Sequence, residues 1–199
     1  MTSIIIPYRD RLTHLNILTP RLSAIAPEAE ILVIEQGDSK AFNRGKLLNI
    51  GAKYARSEVL VMHDVDKIPM RDFWYGVPYY YHVNLIEKSS IQTHGYLGGV
   101  TCFRADTFRN LINGYSNNFW GWGGEDNELA FRLQSLHLEI SYNIAVFDSL
   151  PHKPNGTFDP AKWRQALQPR AEDDGYNNCT YEVLAIERYD FYTKITVNL

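Results

Sequence analysis

The chain has 199 residues, 45% of them hydrophobic, enough for one domain with a true hydrophobic core. A formal net charge of −3 with scattered bases gives no electrostatic support for a nucleic-acid surface or a polybasic membrane tether. No segment approaches the roughly 20 apolar residues of a bilayer-spanning helix, and Cys102 and Cys179 read as buried free thiols that fit a reducing compartment.

The opening residues Met1 to Pro7 read as a strand and not as a signal peptide, for they lack a charged start and a long apolar stretch. Residues 3–7 are β-branched, and Leu12, Leu15, Leu18, Leu22 and Ile25 then recur at helical spacing, with Pro20 expected to start or kink part of that helix. Residues 30–35 predict a second buried strand. Residues 43–56 predict a helix with Leu47, Leu48, Ile50 and Tyr54 as its apolar stripe, and residues 58–63 a third strand ending at Asp64. Strands separated by helices of this size imply right-handed crossovers and an α/β fold with a mostly parallel sheet. Residues 73–81 are too dense in aromatics and punctuating Gly76 and Pro78 to assign. A strand is expected over 96–103, and a helix over 106–113 capped by Asp106 and stopped by Gly114. Residues 125–136 predict a helix with Leu129, Phe131, Leu133 and Leu136 facing inward. Residues 151–175 predict a long loop with one helical piece near 162–167, a place where binding loops often occur. The alternation over 180–187 and 191–197 predicts a C-terminal antiparallel strand pair.

The most informative run is Phe119-Trp120-Gly121-Trp122-Gly123-Gly124-Glu125-Asp126. Buried indoles do not need three flanking glycines, and a carboxylate pair rarely sits beside them unless it is used. Aromatic faces beside acids hold sugars: the ring stacks on C–H faces while carboxylates accept hydroxyl hydrogen bonds. The plainer alternative is an aromatic turn capping the helix that follows. His63-Asp64-Val65-Asp66 lies where a buried strand runs out, the edge at which open parallel sheets collect ligands. Read as extended, its two aspartates point the same way, toward a hard cation and a diphosphate; the alternative is an ordinary strand-end turn. Pro7-Tyr8-Arg9-Asp10-Arg11 ends the first strand at the same edge, with arginines suited to phosphates and Tyr8 to a nucleobase. Phe42-Asn43-Arg44-Gly45-Lys46 puts an aromatic and bases at the mouth of a helix, or caps it through Asn43. Together these sites favour a nucleotide-diphosphate donor. None of the six histidines marks a metal site by itself.

These segments, with Tyr96-Leu97-Gly98-Gly99-Val100, Asn113-Gly114-Tyr115-Ser116-Asn117-Asn118 and Thr180-Tyr181-Glu182-Val183-Leu184, resemble the β-1,4-galactosyltransferase family, inverting enzymes of the GT-A type, along nearly the whole chain. The resemblance implies a Rossmann-like GT-A domain over 1–199, with residues 1–70 as its nucleotide-binding half and 71–199 as its acceptor and catalytic half. It implies manganese held by Asp66 and His152. Where the family carries a methionine three residues before that histidine this chain has Ser149, so an oxygen from Ser149 or Asp148 would make a harder or looser site. Pro7, Tyr8, Arg9, Arg11, Phe42, Arg44, Asp64 and Val65 would surround the uridine diphosphate of a UDP-galactose donor. Trp122 would close over donor and acceptor, Glu125 would bind the donor sugar and Asp126 would be the catalytic base. Gly99, Gly124, Asn127 and Phe158 would complete the carbohydrate site, Phe158 as part of an N-acetyl pocket. Tyr96 would crowd the 2-position of the sugar and favour galactose over its N-acetylated analogue.

The implied product is a β-1,4 linkage to a GlcNAc-type acceptor in polysaccharide or glycolipid synthesis, with peripheral contact to a lipid-linked acceptor. N-acetylgalactosamine or glucose transfer by the same fold, or a glycan-binding module without transfer, are the competing readings. Without the family's disulfides and membrane anchor, the resemblance implies a cytoplasmic, microbial enzyme.

Overall fold

The computed structural model describes residues 1–87, 97–151, 157 and 159–199, save the side chain of Ile144. Three parallel strands form its centre: β1 (Thr2–Tyr8), β2 (Glu30–Gln36) and β3 (Val59–His63), with β1 hydrogen-bonded to both others. Helices α1 (Leu12–Ile25) and α2 (Arg44–Tyr54) connect them. Each central strand is apolar on both faces, as a sheet covered on both sides requires. On one face Ile5, Leu32 and Ile34 pack with Leu47, Leu48 and Ile50 of α2; on the other Ile4, Ile6 and Val33 pack with Leu15, Leu18 and Leu22 of α1. Pro20 lies inside α1, not at its start.

Next come β4 (Lys67–Pro69), β5 (Val83–Glu87) and β6 (Val100–Arg104). A π-helical turn over Thr107–Leu111 stands where the 106–113 helix was expected. Asp106 accepts from Thr107 N there, and Gly114 at φ +64° ends the segment. Helix α3 (Glu125–Ser135) buries Leu129 and Leu133 as anticipated, whereas Leu136, just past its end, is exposed. Strands β7 (Ile140–Ala145) and β8 (Phe147–Ser149) precede α4 (Pro160–Ala166), whose first turn Asp159 caps by accepting from Ala161 N. The expected C-terminal pair is β9 (Glu182–Arg188) and β10 (Thr193–Asn198).

The eight-stranded sheet runs β7-β5-β6-β3-β1-β2-β10-β9. Pairs β1–β2, β1–β3, β2–β10 and β5–β7 are parallel, and β3–β6, β5–β6 and β9–β10 antiparallel. Edge strand β9 leaves Leu184 and Ile186 exposed on one face. A separate antiparallel ribbon pairs β4 with β8, Lys67 opposite Ser149. This ribbon brings the segment after the Asp64-Val65-Asp66 turn against a segment 80 residues later, and Leu150 N donates to Asp66 O at 2.9 Å.

Candidate active site

Beyond the carboxyl ends of β1 and β3 lies a cavity of about 670 Å³. Its first wall is Pro7, Arg9 and Arg11 from the end of β1. Strand alternation explains which residues of that run face it: Pro7 points toward the cavity, while Tyr8 follows Ile4 and Ile6 into the core at 5% exposure. The expectation that Tyr8 offers its ring to a base is therefore corrected. Arg9 lies over Phe42, 5.4 Å from ring centroid to guanidinium carbon, and donates to Lys40 O at 2.7 Å.

The second wall is the end of β3. Asp64 N donates to Gly99 O, and Lys67 N returns to Asp64 O at 3.2 Å, so residues 64–67 form a turn. The sequence argument that Asp64 and Asp66 share a face because the segment is extended is corrected accordingly; the turn brings both to the cavity wall, with Val65 between them. His63 braces the turn. Its Nδ1 lies 3.0 Å from the Asp64 carbonyl, which only accepts, so that nitrogen carries the proton and Nε2 accepts from Tyr75 Oη at 2.9 Å. Burial pushes the imidazole pKa down to about 4 and keeps it neutral.

The third wall is the N-terminus of α3 and the glycine loop before it. Trp122, half-exposed, Gly124, Glu125, Asp126 and Asn127 all line the cavity. Gly121, Gly123 and Gly124 have φ of +77°, +83° and +102°, values that side-chain-bearing residues rarely adopt, and here the glycines are a backbone requirement. Glu125 and Asp126 are 6% and 8% exposed.

Arg44, at the N-terminus of α2, ties the walls together. Asn43 caps the helix by accepting from Lys46 N, which aims the next side chain across the cavity. Arg44 Nε bonds Asp64 Oδ1 at 2.7 Å and its Nη1 lies 3.7 Å from Glu125 Oε1. Burial opposes its charge, but Asp64, Tyr115 and Glu125 outweigh burial and hold the guanidinium charged. Its two terminal nitrogens are buried and find no hydrogen-bond partner among the described residues. Burial, then the adjacent Asp126 charge, lifts Glu125 to about 7 against the pull of Arg44. Asp126 is also raised by burial, opposed by Arg44 and by the Asn127 amide.

Of the anticipated site residues, thirteen described positions meet on this cavity: Pro7, Arg9, Arg11, Phe42, Arg44, Asp64, Val65, Asp66, Trp122, Gly124, Glu125, Asp126 and Asn127. Tyr8 does not, and Gly99 is buried behind Asp64. Tyr96, His152 and Phe158 lie outside the described residues. Sequence reasoning missed Lys67, Asp159, Lys162 and Trp163, which also line the cavity. For the last three the available signal was the helical piece in the long loop, which carries an aromatic beside a base.

Among the described residues no group of three or more His, Cys, Asp or Glu side chains forms a cation cage. Asp64 and Asp66 both line the cavity and offer the carboxylate oxygens that a hard divalent ion takes.

Solved structures share this architecture. The catalytic domain of Drosophila β-1,4-galactosyltransferase 7 in complex with xylobiose superposes with a TM-score of 0.88, covering all of this chain and 93% of that one at 25% identity. A mutant of that enzyme bound to manganese, UDP-Gal and xylobiose gives 0.87 at 24% identity. The fold is thus that of the GT-A glycosyltransferases.

Two family models match the sequence: "N-terminal region of glycosyl transferase group 7" over residues 1–77, and "N-terminal domain of galactosyltransferase" over 82–152. Human β-1,4-galactosyltransferase 4 is 31% identical across 98% of the chain, and bovine β-1,4-galactosyltransferase 1 is 35% identical across 99%. The chain belongs to the β-1,4-galactosyltransferase family, glycosyltransferase group 7. It spans 62% and 54% of the length of those two relatives.

Proposed function

We propose that this chain transfers galactose from UDP-galactose to a hydroxyl of a carbohydrate acceptor, with inversion and β-1,4 linkage, in a reaction that depends on manganese. The observation that carries the reading is the meeting of Asp64, Asp66, Arg44, Glu125 and Asp126 around one cavity that Trp122 also lines. Family membership and the UDP-Gal, manganese and xylobiose bound by the Drosophila neighbour support donor, metal and acceptor class.

Inversion at the anomeric carbon needs one base to take the proton of the attacking hydroxyl from the face opposite the departing diphosphate. Asp126 is the proposed base: its carboxylate reaches the cavity from the first turn of α3, and burial raises its basicity. Glu125, held toward Arg44, would accept hydrogen bonds from the donor sugar. Arg9, Arg11 and Arg44 would meet phosphate oxygens, with the Phe42 ring as an apolar wall. Asp66 and His152 would hold the cation, which when bound neutralises the charge of the leaving diphosphate. No enzyme nucleophile is required.

Residues 1–70 would then serve the nucleotide and 71–199 the acceptor, although Glu125 reaches back to Arg44. A GlcNAc-type or xylose-type sugar is the expected acceptor class. Asp126→Asn is expected to abolish transfer from UDP-galactose while calorimetric UDP affinity in manganese stays within about twofold; residual transfer near wild-type rate would remove Asp126 as base. Running UDP-GalNAc and UDP-glucose beside UDP-galactose tests the donor.

A further inference from the structure

We propose that Lys162 is a positioning residue that fixes Trp122 over the cavity by holding the carbonyls of both tryptophans in the glycine loop. The inference rests on the transfer reading above and names a residue that sets the geometry of that site. Lys162 Nζ donates to Trp120 O at 2.6 Å and to Trp122 O at 2.8 Å. These carbonyls flank Gly121, where a Cβ would stand 3.3 Å from Nζ, so glycine gives the ammonium its close approach.

The loop needs such a hold. Its three glycines sit at positive φ and bring no side chains to pack. Among the described residues Gly121 N donates to Phe42 O at 2.7 Å, Lys40 and Lys46 lie 5.9 and 5.8 Å from the Trp120 ring centroid, and the Phe119 ring packs against Gly124. Past Gly121, the tie to the Trp122 carbonyl comes from α4. A compact ammonium with three rotatable donors suits two converging carbonyls.

Helix α4 can bear that load because it is anchored in turn. Trp163 packs edge-on against Phe131 of α3, ring centroids 5.4 Å apart, and α3 carries Glu125 and Asp126 on its first turn. Lys162 therefore closes a frame of α3, α4 and the loop that fixes Trp122 relative to both acids. Its action on the reaction passes through Trp122.

The test uses the full chain grown with 5-fluorotryptophan, which gives four fluorine signals, Trp122 being assigned by Trp122→Phe. Lys162→Met, and Lys162→Gln as a second variant too short to span both carbonyls, should move or broaden the Trp122 signal and leave that of Trp74 unchanged. Lys162→Arg should restore part of the original signal. With UDP-galactose, manganese and GlcNAc or xylose acceptors, Lys162→Met should lower acceptor kcat/KM roughly 10- to 100-fold, the range a small misplacement costs, with UDP affinity and Tm retained. An unmoved Trp122 signal in both variants, or loss of transfer in parallel with loss of Tm, overturns the proposal. If the wild-type chain transfers to none of these acceptors, the functional reading fails while the fluorine spectra still decide the clamp.

Discussion

Arg44 sets the electrostatics of the cavity, and its worth is that of a buried charge with two opposite partners at 2.7 and 3.7 Å. Glu125 is the member held at greatest cost: an unfolded chain loses its proton near 4.5, the folded one near 7. Between those values the folded state binds more protons, so this group makes stability fall as pH rises through the window. His63 acts in the opposite sense, for the unfolded imidazole takes a proton near 6.5 and the folded one resists until about 4, which makes stability fall as pH drops. Glu125→Gln removes the first effect only. Its Tm should approach that of the parent at pH 5 and exceed it at pH 8, by about 2–4 °C for each kcal/mol of penalty relieved; thermal melts at both pH values check this. Most of the described residues that line the cavity were legible because charged and aromatic side chains at strand ends have few structural uses. Tyr8 was misread because a run that ends a strand still alternates faces, and its ring belongs with Ile4 and Ile6.

At the scale of elements, the long periodic segments were plain in the sequence and the short ones were not. Helices α1, α2 and α3 and strands β1, β2 and β3 carry enough apolar positions to declare their period. Strands β4, β5, β7 and β8 went unassigned, being three to six residues long and set among aromatics that obscure alternation. They hold because of their partners, a property no local pattern carries. The expected 106–113 helix is instead a five-residue π-helical turn, closed by Ile112 N donating to Thr107 O at 2.8 Å. The contact of α2 with the sheet depends on Gly51, where a Cβ would overlap Ile5 and press on Ile34. Gly51→Ala should therefore destabilise by about 1–3 kcal/mol through overpacking, despite the better helix propensity of alanine. A shift of the urea midpoint to lower concentration with an unchanged slope is the expected result; a neutral or stabilising effect would show that α2 lifts freely from β1.

Taken whole, the molecule sets five basic side chains, Arg9, Arg11, Arg44, Lys67 and Lys162, against five acidic ones, Asp64, Asp66, Glu125, Asp126 and Asp159, around a single cavity. A diphosphate entering such balanced walls gains little from net field, and a cation is the ordinary remedy. Removing divalent metal with EDTA should weaken UDP binding by more than about tenfold, or 1.4 kcal/mol, with manganese restoring it; calorimetry reads both. Binding that ignores the chelator would sever the nucleotide from the aspartate turn. The sequence revealed the order of these parts and hid their convergence, since Asp66 and Leu150 meet only through a two-stranded ribbon. At the far margin of the sheet, β9 exposes Leu184 and Ile186 beside an open row of amides and carbonyls. Glu182, Glu187 and Arg188 are interspersed there as gatekeepers against strand-to-strand stacking. Salt that screens these charges is therefore expected to favour edge-to-edge association of the chains, which light scattering would read as growth in particle size.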